Sequence, residues 1–272
     1  MPDMLRLEPP RSVLLALWAS AVVRGEADPS EAARAVQSAD ADPHRIVGDD
    51  LPVSADPLGP GLFDWLDWLA HRDVRAVRAV LPVPGDVMGV PGGPEVSQVM
   101  LAAGEGVVTM PGQIEAPCWA LACSLIHFGS ELEPGVSVQW EQVAVVASGP
   151  TPLGALVGAS EAQQRLRSAL ALVTAELTDL DVADSPAGFA GALEGVRRAG
   201  LDARRFPPGT SPRVLSLVDR AVRVRQIVAL ARTQEGAART GWQLEQRQRH
   251  LVELDTAARH ALAALTVPAG WG

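Results

Sequence analysis

Leu14, Leu17, Trp18 and Ala21 recur at the i, i+3, i+4, i+7 spacing of one helical face and predict a helix over 11–24. Asp28-Pro29-Ser30-Glu31 follows, with a capping acid, a proline suited to the first helical position and an acid at the third, and it opens a second helix. Between 39 and 61 the Asp-Pro and Gly-Pro pairs break both periodicities, so a long loop is expected. Over 62–71, Leu62, Trp65, Leu66 and Leu69 fall on one face against Asp64, Asp67 and His71, a short amphipathic helix. Residues 74–81, 106–110 and 136–148 are rich in Val and Ala or β-branched side chains and read as strands. A helical period over 95–103 between the first two makes 74–110 look like a β-loop-α-β crossover. The continuous apolar run 117–128 suits a buried strand and a buried helix equally.

From Ser160 the pattern is helical. Leu166, Leu170, Val173 and Leu177 recur at spacings of four and three, and Asp184-Ser185-Pro186 starts a further helix with Phe189, Leu193 and Val196 inward. Leu217, Ala221, Val224, Val228 and Ala231, then Leu251, Leu254, Ala258, Ala261 and Leu265, form two long seams separated near 234–241. Together they predict an antiparallel helix hairpin, with Arg247, Arg249 and Arg259 near or outside its edges. The fold class expected is α+β, with mixed α/β as the variant. It has a sheet of about three to five strands in mid-chain, helices before it and a helical C-terminal part. The domain reading is a mixed region over 1–159 and a helical region over 160–272, packed together as one unit.

Composition narrows the chemistry. The 272 residues include no lysine, tyrosine or asparagine, so all 23 basic residues are arginine. Schiff-base chemistry, a P-loop lysine and a phenolic acid or base are thereby excluded. The bias suits a GC-rich, bacterial genome. The net charge of −9 is uneven: residues 1–194 hold 10 Arg against 26 acids, residues 195–272 hold 13 Arg against 6. Opposite charge within one chain supplies the arginines with an internal counterpart and disfavours nucleic acid as the partner. The longest uncharged apolar stretch near the start, 12–23, is too short for a membrane span, and two cysteines make no disulfide framework. A cytoplasmic location is expected.

Four constellations deserve weighing. The loop 81–94 places Gly85, Asp86, Gly89, Gly92 and Gly93 between a strand end and a helix start, where backbone amides can cradle an anion. It matches no nucleotide-binding fingerprint, and Asp86 opposes a phosphate. A second Gly/Pro loop with Gly149 and Thr151 repeats the theme and offers a converging ligand edge. Cys118, Cys123 and His127 have ligand character but lack a fourth member, so no metal is assigned. Asp49, Asp50, Asp64, Asp67 and His71 suggest an acid-rich site, weighed against a solvated helix face.

Trp68 with Arg223, Arg225, Arg247 and Arg249 forms the expected interaction surface. The leading reading is a non-catalytic protein-interaction or regulatory protein with no cofactor, whose partner is another protein or a second copy. A small-molecule or anion-binding protein, or an enzyme, built on the two Gly/Pro loops is the runner-up. Nucleic-acid binding by the arginine hairpin comes third.

Overall fold

The computed structural model describes residues 6–113, 116–130, 132–145, 158–179, 187–233 and 241–267. The chain divides into two compact units, one from Pro10–Leu156, Arg204–Thr210 and Thr266–Gly272, the other from Met1–Pro9, Val157–Ala203 and Ser211–Leu265. The fold is α+β, with eight helices, a mixed five-stranded sheet and a small two-stranded sheet among the described residues.

The first unit carries the five-stranded sheet. In chain order it runs through α1 (Arg11–Val23), α2 (Pro29–Gln37), β2 (Arg45–Gly48), α3 (Leu62–Ala70), β3 (Val74–Val80), α4 (Pro94–Ala103), β4 (Gly106–Pro111), β5 (Cys118–Gly129) and β6 (Pro134–Val145). The label β1 (Arg6–Leu7) belongs to the second unit. Strand order is β2-β6-β5-β4-β3, with β2 parallel to β6 and every other pair antiparallel. Both faces are covered over β3, β4 and the first half of β5. On one, Val80, Val108, Ala120 and Ala122 pack under Val96 and Met100 of α4. α1 packs on β3 and α2 packs on α1 and α3.

Local chemistry accounts for the helices. The Asp28 carboxylate accepts from the Ser30 and Glu31 amides at 2.8 and 3.2 Å, with Pro29 inside the first turn, as the sequence pattern requires. α1 is apolar nearly all round, and its two buried serines find partners. Ser12 donates to Glu105, while the Ser20 hydroxyl accepts from the Val77 amide and donates to the Val77 carbonyl, both at 2.9 Å. The Ala79 amide donates to Thr266 Oγ1 at 2.8 Å. The outer edge of β3 is therefore closed by side chains.

Two expectations change and one open reading is decided. The run 117–128, which suited strand and helix equally, is a strand over Cys118–Gly129, paired with β6 on one edge along that whole length. The expected loop 39–61 contains β2, only four residues long and too short to leave a period, although Ile46 is buried in it. The crossover over 74–110 is not a parallel one: β3 and β4 are antiparallel neighbours, Val80 opposite Gly106. Gly104 and Glu105 join α4 to β4, which starts opposite the end of β3.

The second unit pairs β1 with β7 (Gly200–Leu201) in parallel and holds four helices, α5 (Ala159–Asp179), α6 (Ala187–Arg198), α7 (Pro212–Arg232) and α8 (Gly241–Ala264). α8 packs on both α7 and α5. The expected seam is largely buried at Leu217, Ala221, Val224, Val228, Leu254, Ala258 and Ala261, while Leu251 and Leu265 are half-buried. Arg259 corrects the sequence reading, because it is buried within the seam and not at its edge. Its guanidinium donates to Asp255 at 3.0 Å, and Asp255 also accepts from Arg225 at 3.3 Å. Two cations thus flank a nearly buried carboxylate that periodicity alone did not single out. The start proposed at 184–186 for α6 lies outside the described residues.

Candidate functional site

α3 turns Trp65 fully inward, where its Nε1 donates to Gln142 Oε1 of β6 at 2.8 Å. The Gln142 amide in turn donates to the carbonyls of Asp49 and Asp50, each at 2.9 Å. The Asp50 carboxylate accepts from Trp119 Nε1 of β5 at 3.0 Å. Asp50 has φ 53°, the sole non-glycine with positive φ among the described residues. An aspartate tolerates that conformation at a cost of about 1 kcal/mol, and hydrogen bonds from Gln142 to its carbonyl and from Trp119 to its carboxylate hold it there.

This turn walls a groove. Trp68 meets Trp119 edge to face, with ring centroids 4.8 Å apart at 69°, and the Arg72 guanidinium lies 4.6 Å from the Trp68 ring centre. One cleft of about 270 Å³ is lined by Val53, Phe63, Asp67, Trp68, His71 and Arg72 among others, and a second of about 340 Å³ by Asp50, Arg72, Asp73, Pro117 and Trp119. Arg72 lines both. Of the acid-rich set read from sequence, Asp50, Asp64, Asp67 and His71 line these clefts and Asp49 does not. Asp64 spends its carboxylate on the Gly61 amide and the Ser54 hydroxyl, each at 2.9 Å, starting α3. The His71 ring donates through Nδ1 to the Asp67 carbonyl at 2.8 Å.

At the other end of β5 the sheet thins to two strands. β4 pairs only as far as Ala122 and β2 only from Gln139, so 124–138 projects as a hairpin with no neighbouring strand on either edge among the described residues. Register sets its faces. Leu125, His127 and Val136 share one face, Ile126 and Phe128 the other, where the Phe128 ring lies over Gly135. Leu125, Ile126, Phe128, Val136 and Leu132 in the turn are each at least 40% exposed, a concentration of apolar surface that a soluble monomer rarely leaves uncovered.

The remaining sequence candidates scatter. Gly85 and Asp86 sit in a turn closed by reciprocal Val83 and Asp86 backbone hydrogen bonds of 2.9 and 3.0 Å. Gly85, Gly89 and Gly93 take positive φ, at 87°, 84° and 122°, which accounts for glycine at these positions without a ligand. Gly92 lies beside Gly93, which precedes α4 with no side-chain cap. Gly149 and Thr151 lie outside the described residues.

Cys123 and His127, four apart on a strand, share a face but stand about 13 Å apart. Burial pushes the Cys118 thiol up, and it donates to the Thr109 carbonyl at 2.9 Å. Burial and nearby Glu105 push the Cys123 thiol up further.

Among the expected surface arginines, Arg223 donates to the Val196, Arg197 and Ala199 carbonyls at the end of α6 and pairs with Asp219 at 3.1 Å. Arg225 pairs with Asp255, and Arg247 donates to the Ala231 carbonyl at 2.7 Å near the end of α7. Positive side chains at helix C-termini favour the helix dipole. Arg249 is exposed.

Sequence reasoning missed two buried groups. Arg78 of β3 is only 3% exposed, its Nη1 has no hydrogen-bond partner, and burial pulls its pKa down to about 10. His44, fully buried, accepts from Trp140 Nε1 at 3.2 Å through Nδ1 and donates through Nε2 to Asp40 at 2.9 Å; Arg11 pairs with the same carboxylate. Arg78 lies in a strand buried on both faces, where alternation does not set it apart from its apolar neighbours, and His44 lies in the loop just before β2.

Residues 12–155 match a family model described as Rv1486c-like protein, N-terminal domain, and residues 160–263 match one described as Rv1486c-like protein, C-terminal domain. No curated protein and no solved structure matches the chain.

Proposed function

The chain belongs to the family of Rv1486c-like proteins, and from that premise we propose that it is a non-catalytic interaction protein that receives an extended polypeptide segment along its β5–β6 arm. The observation that carries the reading is the arm itself, with two open edges and large apolar side chains on both faces. Outward backbone groups supply hydrogen bonds to an added strand, and alternate side chains such as Ile126 and Phe128 supply its specificity. β3 shows the contrast, since its edge is closed by Ser20 and Thr266. Two unpaired thiols agree with action in the cytoplasm.

Hydrogen exchange on the full-length chain tests this, comparing material co-purified from its native cell at low ionic strength with the purified chain. The outward amides of 124–129 and 134–138 should exchange more slowly in the co-purified sample, and Phe128→Glu should remove that protection. Protection that grows with concentration in the purified chain assigns the added strand to a second copy. Equal exchange in both samples, with a partner retained by Phe128→Glu, overturns the reading.

A further inference from the structure

The geometry points to a second binding site at the opposite end of β5: the Trp68–Trp119 groove takes the guanidinium of an arginine presented by a polypeptide, which displaces Arg72 from the face of Trp68. Three observations converge on it. First, Arg72 already displays the recognition, its guanidinium 4.6 Å from the Trp68 ring centre, with no side-chain hydrogen bond or ion pair among the described residues. Arg72 is exposed, follows directly on the C-cap of α3, and has no carboxylate holding it. Its side chain is therefore free to swing.

Second, Arg72 is the residue common to the two clefts, about 270 and 340 Å³, that flank it. Moving it off Trp68 joins them into one groove with indoles for walls. Singly the clefts sit at the lower limit of small-ligand pockets, roughly 300–1,000 Å³, and joined they fall well inside that range, with room for a side chain and its flanking backbone.

Third, the charge balance of the lining selects a cation. Asp67, Asp50 and Asp73 line the clefts in addition to Asp64, which is spent on the start of α3. Arg72 is the one permanent cation among these lining residues. Asp50, Asp67 and Asp73 are exposed, so they act together as a negative surface field that draws a cation toward the indoles. A planar guanidinium stacks on an indole and forks to a carboxylate at once, which an ammonium does not. The scaffold is rigid, since Trp119 and the Asp50 turn are tied together through Gln142 and Trp65. About 30 Å of strand separates Trp119 from Phe128, so this site is independent of the arm.

The test is an NMR titration of the full-length chain with the blocked tripeptide acetyl-Gly-Arg-Gly-amide, following the indole N–H signals. Norleucine, lysine and glutamate versions serve as controls. The Trp68 and Trp119 signals, assigned from Trp68→Phe and Trp119→Phe, should move saturably with the arginine peptide, less with lysine and not with norleucine.

Arg72→Ala should tighten binding about two- to fivefold by removing the internal competitor. Trp68→Ala should abolish it, and Asp50→Asn should weaken it; unchanged dispersion of the remaining indole signals confirms that each variant is folded. Phe128→Glu should leave the titration unaltered. A loss of binding in Arg72→Ala, or a preference for the glutamate peptide, would overturn the proposal, because Arg72 would then be the recruiter of an anion.

Discussion

His44 is neutral in the folded chain, and its surroundings require it to be. Burial lowers its pKa below the usual 6.5 despite the neighbouring Asp40, and the Trp140 N–H occupies Nδ1, which a second proton would need. As pH falls below about 6.5 the unfolded chain takes up a proton that the folded chain refuses, so stability declines. Burial opposes ionisation of Asp40, yet Arg11 and His44 hold its pKa below 3.8, and its contribution is lost only in stronger acid. The urea midpoint should therefore drop between pH 7.5 and 5.5, and His44→Gln should shrink that drop; an equal drop in the variant would place the titrating group elsewhere.

Arg78 poses the opposite problem, a buried cation without a partner for Nη1. Such a group costs several kcal/mol in desolvation, and an apolar residue of similar length avoids that cost. Arg78→Met should leave the Tm unchanged or raise it. A fall equivalent to more than about 1 kcal/mol would reveal a compensating interaction.

At the scale of elements, the α7–α8 pair carries the clearest mechanical expectation. Leu254 is buried in the seam, so Leu254→Ala should cost about 2–5 kcal/mol in chemical denaturation. Arg249 is exposed, and Arg249→Ala should stay within about 0.5 kcal/mol. Arg259 sits between these extremes in chain position but not in consequence. Removing it leaves the Asp255 carboxylate with Arg225 as the other partner the structure shows, and a cost of about 3–5 kcal/mol is expected. Near-neutrality of Arg259→Ala would mean that Asp255 is solvated. Among strands, β3 and the arm illustrate two treatments of an edge. One is plugged by hydroxyls from α1 and from Thr266; the other is left open and apolar, which is why the arm is read as a contact surface.

For the whole molecule, charge is the property that reaches furthest into solution. The chain carries −9 overall, and several arginines of its second unit are already bound to backbone carbonyls or carboxylates of that unit. Those paired with Asp219 or Asp255 are less available to displace counterions from a polyanion. The full-length chain should pass through heparin at low salt, and retention that weakens steeply with salt would revive nucleic-acid binding. Among the described residues no helix is long and apolar enough to cross a membrane.

Periodicity was sufficient for the helices, because a 3.6-residue repeat such as that of α3 or α7 reports directly which face must leave water. Capping chemistry at Asp28 was equally local, needing only two amides within three residues. Composition likewise excluded lysine and tyrosine chemistry with no structure at all. Strand pairing was another matter: 117–128 is apolar on both sides, so only its partner β6 made it a strand, and β2 exists because Trp140 and Gln142 of β6 lie beside it.

The groove was half legible, since Asp50, Asp67, Trp68 and His71 stood out as residue types, but Trp119 joins them across about 50 residues of chain. The fates of Arg78 and Arg259 were not legible, since an arginine reads as polar wherever it stands. Burial depends on which elements close over it, and that is a property of packing that no local spacing encodes.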